Sequence, residues 1–279
     1  MKLGVFAKTF PGSTPSEVLG QCFKSGYSVA HYNMVCSGLA SMPLEISNAD
    51  CENIQSAARE NNVELVAVSG TYNMIHPDPS VRTDGHNRLS VIAKAANQIG
   101  LGLVTLCTGT RSAEDQWAFH KDNDTPEAWR DLIASMEVAI SIAEEHDIDL
   151  GIEPEMDNVV SSAQKAKQLL DELGSKRLKI IFDPANLFEQ TTHQDQKDIV
   201  SRGIDLLAPD IVMAHAKDRL QDGRFGTVSK GVVDFDYYLR ALMSVGYDGP
   251  LVAHGLEARE AAEVATFLTG KIQGAEAAQ

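Results

Sequence analysis

The chain has 279 residues and a net charge of −15, with 24 Lys and Arg set against 39 Asp and Glu; 43% of its residues are hydrophobic and 23% charged. That composition supplies a sizeable core and excludes wholesale disorder, while the acidity argues against a nucleic-acid partner, whose binding needs a surplus of basic groups to release counterions. The length alone fits two ordinary domains or one large α/β barrel.

Only five residues separate Lys2 from Lys8, too few for the apolar core of a secretory signal. No apolar run is long enough for a transmembrane helix, so a soluble, cytoplasmic protein is expected. Short apolar or β-branched runs then recur at residues 3–7, 29–34, 64–69, 103–107, 148–153, 178–182, 211–215 and 251–254. Each gap between them holds a helical pattern. In the third, Leu89, Ile92, Ala93, Ala96 and Ile99 share one face that Gly100 closes. In the fourth, Thr125-Pro126 offers an N-cap with proline at the first helical position, ahead of a stripe through Trp129, Leu132, Ile133, Met136, Ala139, Ile140 and Ala143. Turn residues close other helices, as at Ser25-Gly26-Tyr27 and Val245-Gly246-Tyr247. The strands are nearly continuous apolar runs, as in a parallel sheet covered by helices. No linker divides the chain. The pattern predicts a single α/β domain, a (β/α)8 TIM barrel over residues 1–279 with a flexible tail from about 270; an open doubly wound sheet lacks its glycine-rich phosphate loop after the first strand. Cys22, Cys36, Cys51 and Cys107 show no CxxC spacing and are expected to be reduced.

In such a barrel the active site lies at the carboxyl ends of the strands. Four consecutive strands end in a carboxylate or imidazole, at Glu153, Asp183, His215 and His254. Buried carboxylates are costly unless paired or bound to metal, so one divalent cation would satisfy the set; mixed oxygen and nitrogen donors suit Mn, Co, Zn or Fe, and Mg less well.

The segments GIEPE, IFDPANLF, HAKD, SKGVVDFDYYLRAL and GYDGPLVAHGLE resemble the sugar phosphate isomerase/epimerase family of xylose isomerase-like TIM barrels, in the AP endonuclease family 2 superfamily. The resemblance implies a (β/α)8 barrel with one divalent metal held by Glu, Asp, His and Glu from the last four strands. The first three ligands fall on Glu153, Asp183 and His215. At the fourth position this chain has His254, expected to face the interior as a ligand, with Glu257 the nearest glutamate. The epimerases of the group exchange the substrate proton between two glutamates, so the change removes one of the two bases.

The expected function is a divalent-metal-dependent isomerase or epimerase of a sugar, keto-sugar or sugar phosphate, working through an enediolate. Glu153 is the candidate base, His254 or Glu155 the group that returns the proton, and Lys217 a catalytic or anion-binding cation. Substrate contacts are expected from His31, Asn73, Arg111, Glu155, Asn186 and Glu257. Tyr32, Asn33, Thr71, Tyr72, His76, Thr108 and Thr110 also follow strands, and Trp117, His120 and Trp129 form a candidate lid, although helix packing explains Trp129 more simply. A metal-dependent lyase, decarboxylase or hydrolase acting on an oxidised sugar or sugar acid is the competing reading, since such chemistry needs only one proton-transfer site. An endonuclease IV-like enzyme fits less well, because Asn186 stands where those enzymes have histidine, and a non-catalytic sugar-binding barrel would not keep three ligands on three strands. The expected partner is a small carbohydrate, with neither nucleic acid nor membrane; self-association into a homo-oligomer is left open.

Overall fold

The computed structural model describes residues 1–278. Eight parallel strands close on themselves in the order β1-β10-β7-β6-β5-β4-β3-β2. They are β1 (Lys2–Phe6), β2 (Val29–Tyr32), β3 (Glu64–Ser69), β4 (Leu103–Leu106), β5 (Asp149–Ile152), β6 (Leu178–Phe182), β7 (Ile211–Ala216) and β10 (Pro250–Ala253). The barrel helices alternate with them: α1 (Pro15–Lys24), α2 (Asn48–Glu60), α3 (Pro79–Ile99), α4 (Pro126–Glu145), α5 (Ala163–Leu173), α6 (His193–Leu207), α7 (Phe235–Ser244) and α8 (Ala261–Glu276). This is a single (β/α)8 TIM barrel. Strands β8 (Asp218–Arg219) and β9 (Phe225–Gly226) form a small antiparallel hairpin after β7 that the apolar pattern does not announce.

Local signals explain most boundaries. Thr125 caps α4 by accepting the Ala128 amide at 3.2 Å, with Pro126 as its first residue. Gly100 ends α3 in the left-handed conformation, φ 89°. Past residue 270, where the sequence suggests a tail, α8 stays helical to Glu276, and Leu268, Ile272 and Ala275 continue one buried stripe at helical spacing. Among the described residues no helix is long and apolar enough to cross a membrane. All four cysteines are buried and unpaired.

The loop after β4 is locked from both sides. Asn158 Oδ1 accepts the Gly109 amide at 2.6 Å, and Asn73 Oδ1 accepts that of Thr110 at 3.0 Å. Gly109 has φ +80°, and a Cβ there would lie 2.2 Å from Asn73 Oδ1 and 2.8 Å from the Met74 amide nitrogen. Gly109→Ala should therefore cost about 1–3 kcal/mol in strain and displaced backbone. Urea denaturation measures this, and an unchanged midpoint would refute it.

Candidate active site

Side-chain alternation builds two layers inside the barrel. Ala67, Leu103, Ile181, Met213 and Val252 form an apolar cluster of their own. Two residues further along the same strands stand Ser69, Thr105, Asp183, His215 and His254, and Glu153 follows Gly151 in the same way. A Cβ at Gly151 would lie 2.6 Å from Ile181 Cδ1, so the missing side chain lets the floor close. The aliphatic layer keeps water out from below, and the polar layer opens upward into a cavity of about 550 Å³.

Glu153, Asp183 and His215 offer donor atoms that all lie within 4.8 Å of one another. His215 Nδ1 lies 3.1 Å from Glu153 Oε1 and 3.9 Å from Asp183 Oδ2. Asn186 Nδ2 donates to Glu153 Oε1 at 2.7 Å. Asp183 Oδ1 accepts the Ala185 amide, while its Oδ2 is buried without a hydrogen-bond partner. Burial opposes ionisation of Glu153, but the charge and hydrogen bond of His215, with Lys217 behind, hold its carboxyl down to about 2. Burial also opposes a charged His215 and is outweighed by Glu153 and Asp183, so its pKa rises. Burial pushes Asp183 up to about 6, and burial together with Glu153 pushes Glu155 up to about 8. An orphaned carboxylate oxygen beside two further donors, in a desolvated group rich in carboxylate, fits a divalent cation. Two oxygen donors and one nitrogen suit Mn, Co, Zn, Fe or Mg.

His254, the expected fourth ligand, is not brought into this donor group. Its ring stacks on that of His215, centroids 5.2 Å apart and 5° from parallel, so the two imidazoles lie face to face instead of converging on one point. Burial, reinforced by the His215 charge, holds His254 down to about 3, and its Nδ1 is buried without a partner. A neutral imidazole therefore borders the cavity beside the donors.

Lys217 Nζ donates to Asn186 Oδ1 at 3.0 Å. It does not pair with Asp218, whose carboxylate accepts the amides of Arg219, Gly231 and Val233 and so ties down the hairpin and the loop beyond it. His31 lies opposite, its Nε2 3.1 Å from Thr105 Oγ1. Glu155, Asn33, Thr71 and Trp117 also line the cavity.

Three of the expected substrate contacts are not brought into the cavity lining. Arg111 lies outside the cavity lining, drawn to Asp131 at 2.7 Å and to the Ile75 carbonyl at 3.2 Å. Asn73 spends its amide on the Thr110 and Ser112 carbonyls and its oxygen on backbone N–H groups. Glu257 is exposed, lies outside the cavity lining and pairs with Arg259 at 2.8 Å. Two lid candidates also leave the site: His120 accepts the Asp122 amide, and Trp129 donates to Glu172. Lys8, Asp157, Arg219 and Phe225 line the cavity without having been singled out from the sequence. Strand alternation from His215 through Lys217 pointed to Arg219; Phe225 sits in a two-residue strand, too short for any periodicity.

The family model described as a xylose isomerase-like TIM barrel matches residues 21–269, and the chain belongs to that family. No curated protein sequence matches it. Among solved structures, 3-keto-D-glucoside 4-epimerase, YcjR, from E. coli is 15% identical, with a TM-score of 0.77 over 97% of this chain and 99% of that one. A D-tagatose 3-epimerase-like protein is 16% identical, with a TM-score of 0.78 over 99% of this chain and 98% of that one. D-psicose 3-epimerase from Clostridium cellulolyticum H10 is 17% identical, with a TM-score of 0.69 over 99% of this chain and 96% of that one. At these identities the likeness establishes the fold.

Asp131 bridges Arg111 and Arg82, at 2.7 and 2.8 Å. Burial opposes its ionisation, but the Arg111 hydrogen bond and both guanidinium charges hold its pKa below the usual value. A carboxyl lowered in the folded state stabilises above its unfolded pKa and loses that contribution as pH falls through the folded one. Arg111→Gln should thus cost about 1 kcal/mol at neutral pH and less in acid. Thermal melts at pH 7 and pH 3 measure the difference; an equal loss at both would show that the pair contributes nothing through charge.

Proposed function

We propose that this chain is a divalent-metal-dependent isomerase or epimerase of a sugar, keto-sugar or sugar phosphate. The observation that carries this reading is the Glu153, Asp183 and His215 donor group at the mouth of the barrel, beside a cavity whose lining includes hydroxyl, amide and charged side chains. The names of the similar solved structures, epimerases of sugars or sugar-like molecules, support it.

Glu153, Asp183 and His215 are the residues that would hold the ion, which when bound supplies Lewis-acid stabilisation of negative charge developing on a substrate oxygen. Glu153 Oε1 accepts from Asn186, and this carboxylate is the base placed to take the proton from a carbon next to a carbonyl. His254 borders the same cavity beside the donor group and is the imidazole placed to exchange that proton with the substrate. Burial keeps Glu155 protonated near neutrality and makes it the alternative donor. Asn186 joins the two ends of the site, receiving from Lys217 and donating to Glu153, and so orients that carboxylate.

One observation favours a second reading, a lyase or decarboxylase acting on an oxidised sugar. The strand that would carry a second glutamate base is followed by His254, which leaves Glu153 as the one glutamate of the donor group. Product mass separates the two, since isomerisation conserves it and cleavage does not.

Purified protein should carry about one divalent ion per chain by elemental analysis. Asp183→Asn and Glu153→Gln should lose most of it, whereas His254→Ala should retain it and lose about 10²–10⁴-fold in turnover, the usual worth of a positioned acid or base. Turnover in deuterium oxide should place deuterium at the carbon beside the carbonyl. Full activity after chelation, with no exchange, would overturn the reading.

A further inference from the structure

Lys217 and Arg219 are only 9% and 5% exposed, and neither comes within 4.0 Å of a carboxylate among the described residues. Glu189, Asp183 and Asp157 act on Arg219, and Glu153, Glu155 and Asp183 on Lys217, only from beyond that distance. Arg219 donates from Nε to the Ala185 carbonyl at 2.8 Å and from Nη1 to that of Gly223 at 2.5 Å, leaving Nη2 without a hydrogen bond. Lys217 uses one of its three donors, on Asn186. Both charges rest on the ring of Phe225, at 3.5 and 4.1 Å from its centroid. An aromatic face offsets part of the cost of burying a cation; an anion offsets far more. All three side chains border the cavity that holds Glu153 and His215.

We propose that Lys217 and Arg219, walled by Phe225, hold an anionic substituent of the substrate, a carboxylate or a phosphate. The inference rests on the sugar reading above and narrows it from carbohydrates in general to acidic ones. The guanidinium fork and the point charge of the lysine are complementary to such oxygens. Asn186 links Lys217 directly to Glu153, so one small molecule spans the anion-holding end and the reacting end. Glu153 and Asp183 are the acidic groups deepest in the site, and the ion they would hold takes up their charge. Glu155 and Asp157 are then the acidic side chains left along the cavity beside Lys8, Lys217 and Arg219. In a protein of net charge −15, whose surface repels anions, such a local cluster is what makes an acidic substrate acceptable.

The test is equilibrium binding to the manganese-loaded protein of matched sets: D-glucose, D-glucuronate and D-glucose 6-phosphate, with the corresponding galactose and mannose sets. In at least one set the uronate or the phosphate should bind ten-fold or more tightly than the neutral sugar, and which one does identifies the anion. Arg219→Gln and Lys217→Gln should each remove most of that preference, and Arg219→Lys should keep part of it. Should Arg219→Gln not fold, salt decides on the unmodified protein: raising NaCl from about 20 to 500 mM should weaken the acidic ligand and leave the neutral one unchanged. Neutral and acidic members binding equally in every set, or a preference that survives both substitutions to glutamine and high salt, overturns the inference and leaves the sugar reading standing. No binding of any member overturns both.

Discussion

Three groups that would each ionise in water crowd together, largely desolvated, at the mouth of this barrel, and the surrounding structure is arranged around compensating them. Glu153, Asp183 and His215 lie within 4.8 Å of one another above a sealed apolar floor. In that low-dielectric setting their mutual attraction is strong, but so is the penalty for any charge left over. The glutamate and histidine satisfy each other. Asp183 is not fully satisfied; its free oxygen and raised pKa mark where a further positive charge belongs.

The barrel brings this about through a geometric constraint. A closed parallel sheet sends every strand end to the same mouth, and a period of two decides which residues face inward. Each apolar floor residue therefore specifies a polar partner two positions later: Ile181 with Asp183, Met213 with His215, Val252 with His254. The same alternation carries past β7 to Lys217 and Arg219, so the His215 donor and the cationic end of the cavity lie on one continuous stretch of chain.

The loops divide between work on a ligand and work on the scaffold. Asn73, Arg111 and His120 follow strands or border the mouth, yet each spends its hydrogen bonds on neighbouring backbone or on an ion pair. Long strand-to-helix loops expose many backbone groups that need partners, and side chains such as these supply them. Residue type after a strand is thus a weak guide to function, whereas position on the inward-facing register is a strong one. Glu153, His215 and Lys217 satisfy the second criterion and line the cavity, and Asp183 satisfies it and joins Glu153 and His215 in the donor group; Asn186 reaches the cavity from the 3-10 turn after β6.

The order of eight apolar runs and helical stripes, the caps at Thr125 and Gly100, and the inward set Glu153, Asp183, His215 and His254 were legible in the sequence, because periodicity and capping are local and act over a few residues. The helical end of α8 was written there too, in Leu268, Ile272 and Ala275, but its small polar-flanked stripe reads weakly without the surface it covers. Whether His254 converges with His215 or stacks on it, where Arg111 finds its counter-charge, and that Phe225 covers Lys217 and Arg219 were decided by the tertiary structure. Those outcomes depend on distances between segments far apart in the chain, which no local pattern encodes and which exist only once the barrel has closed.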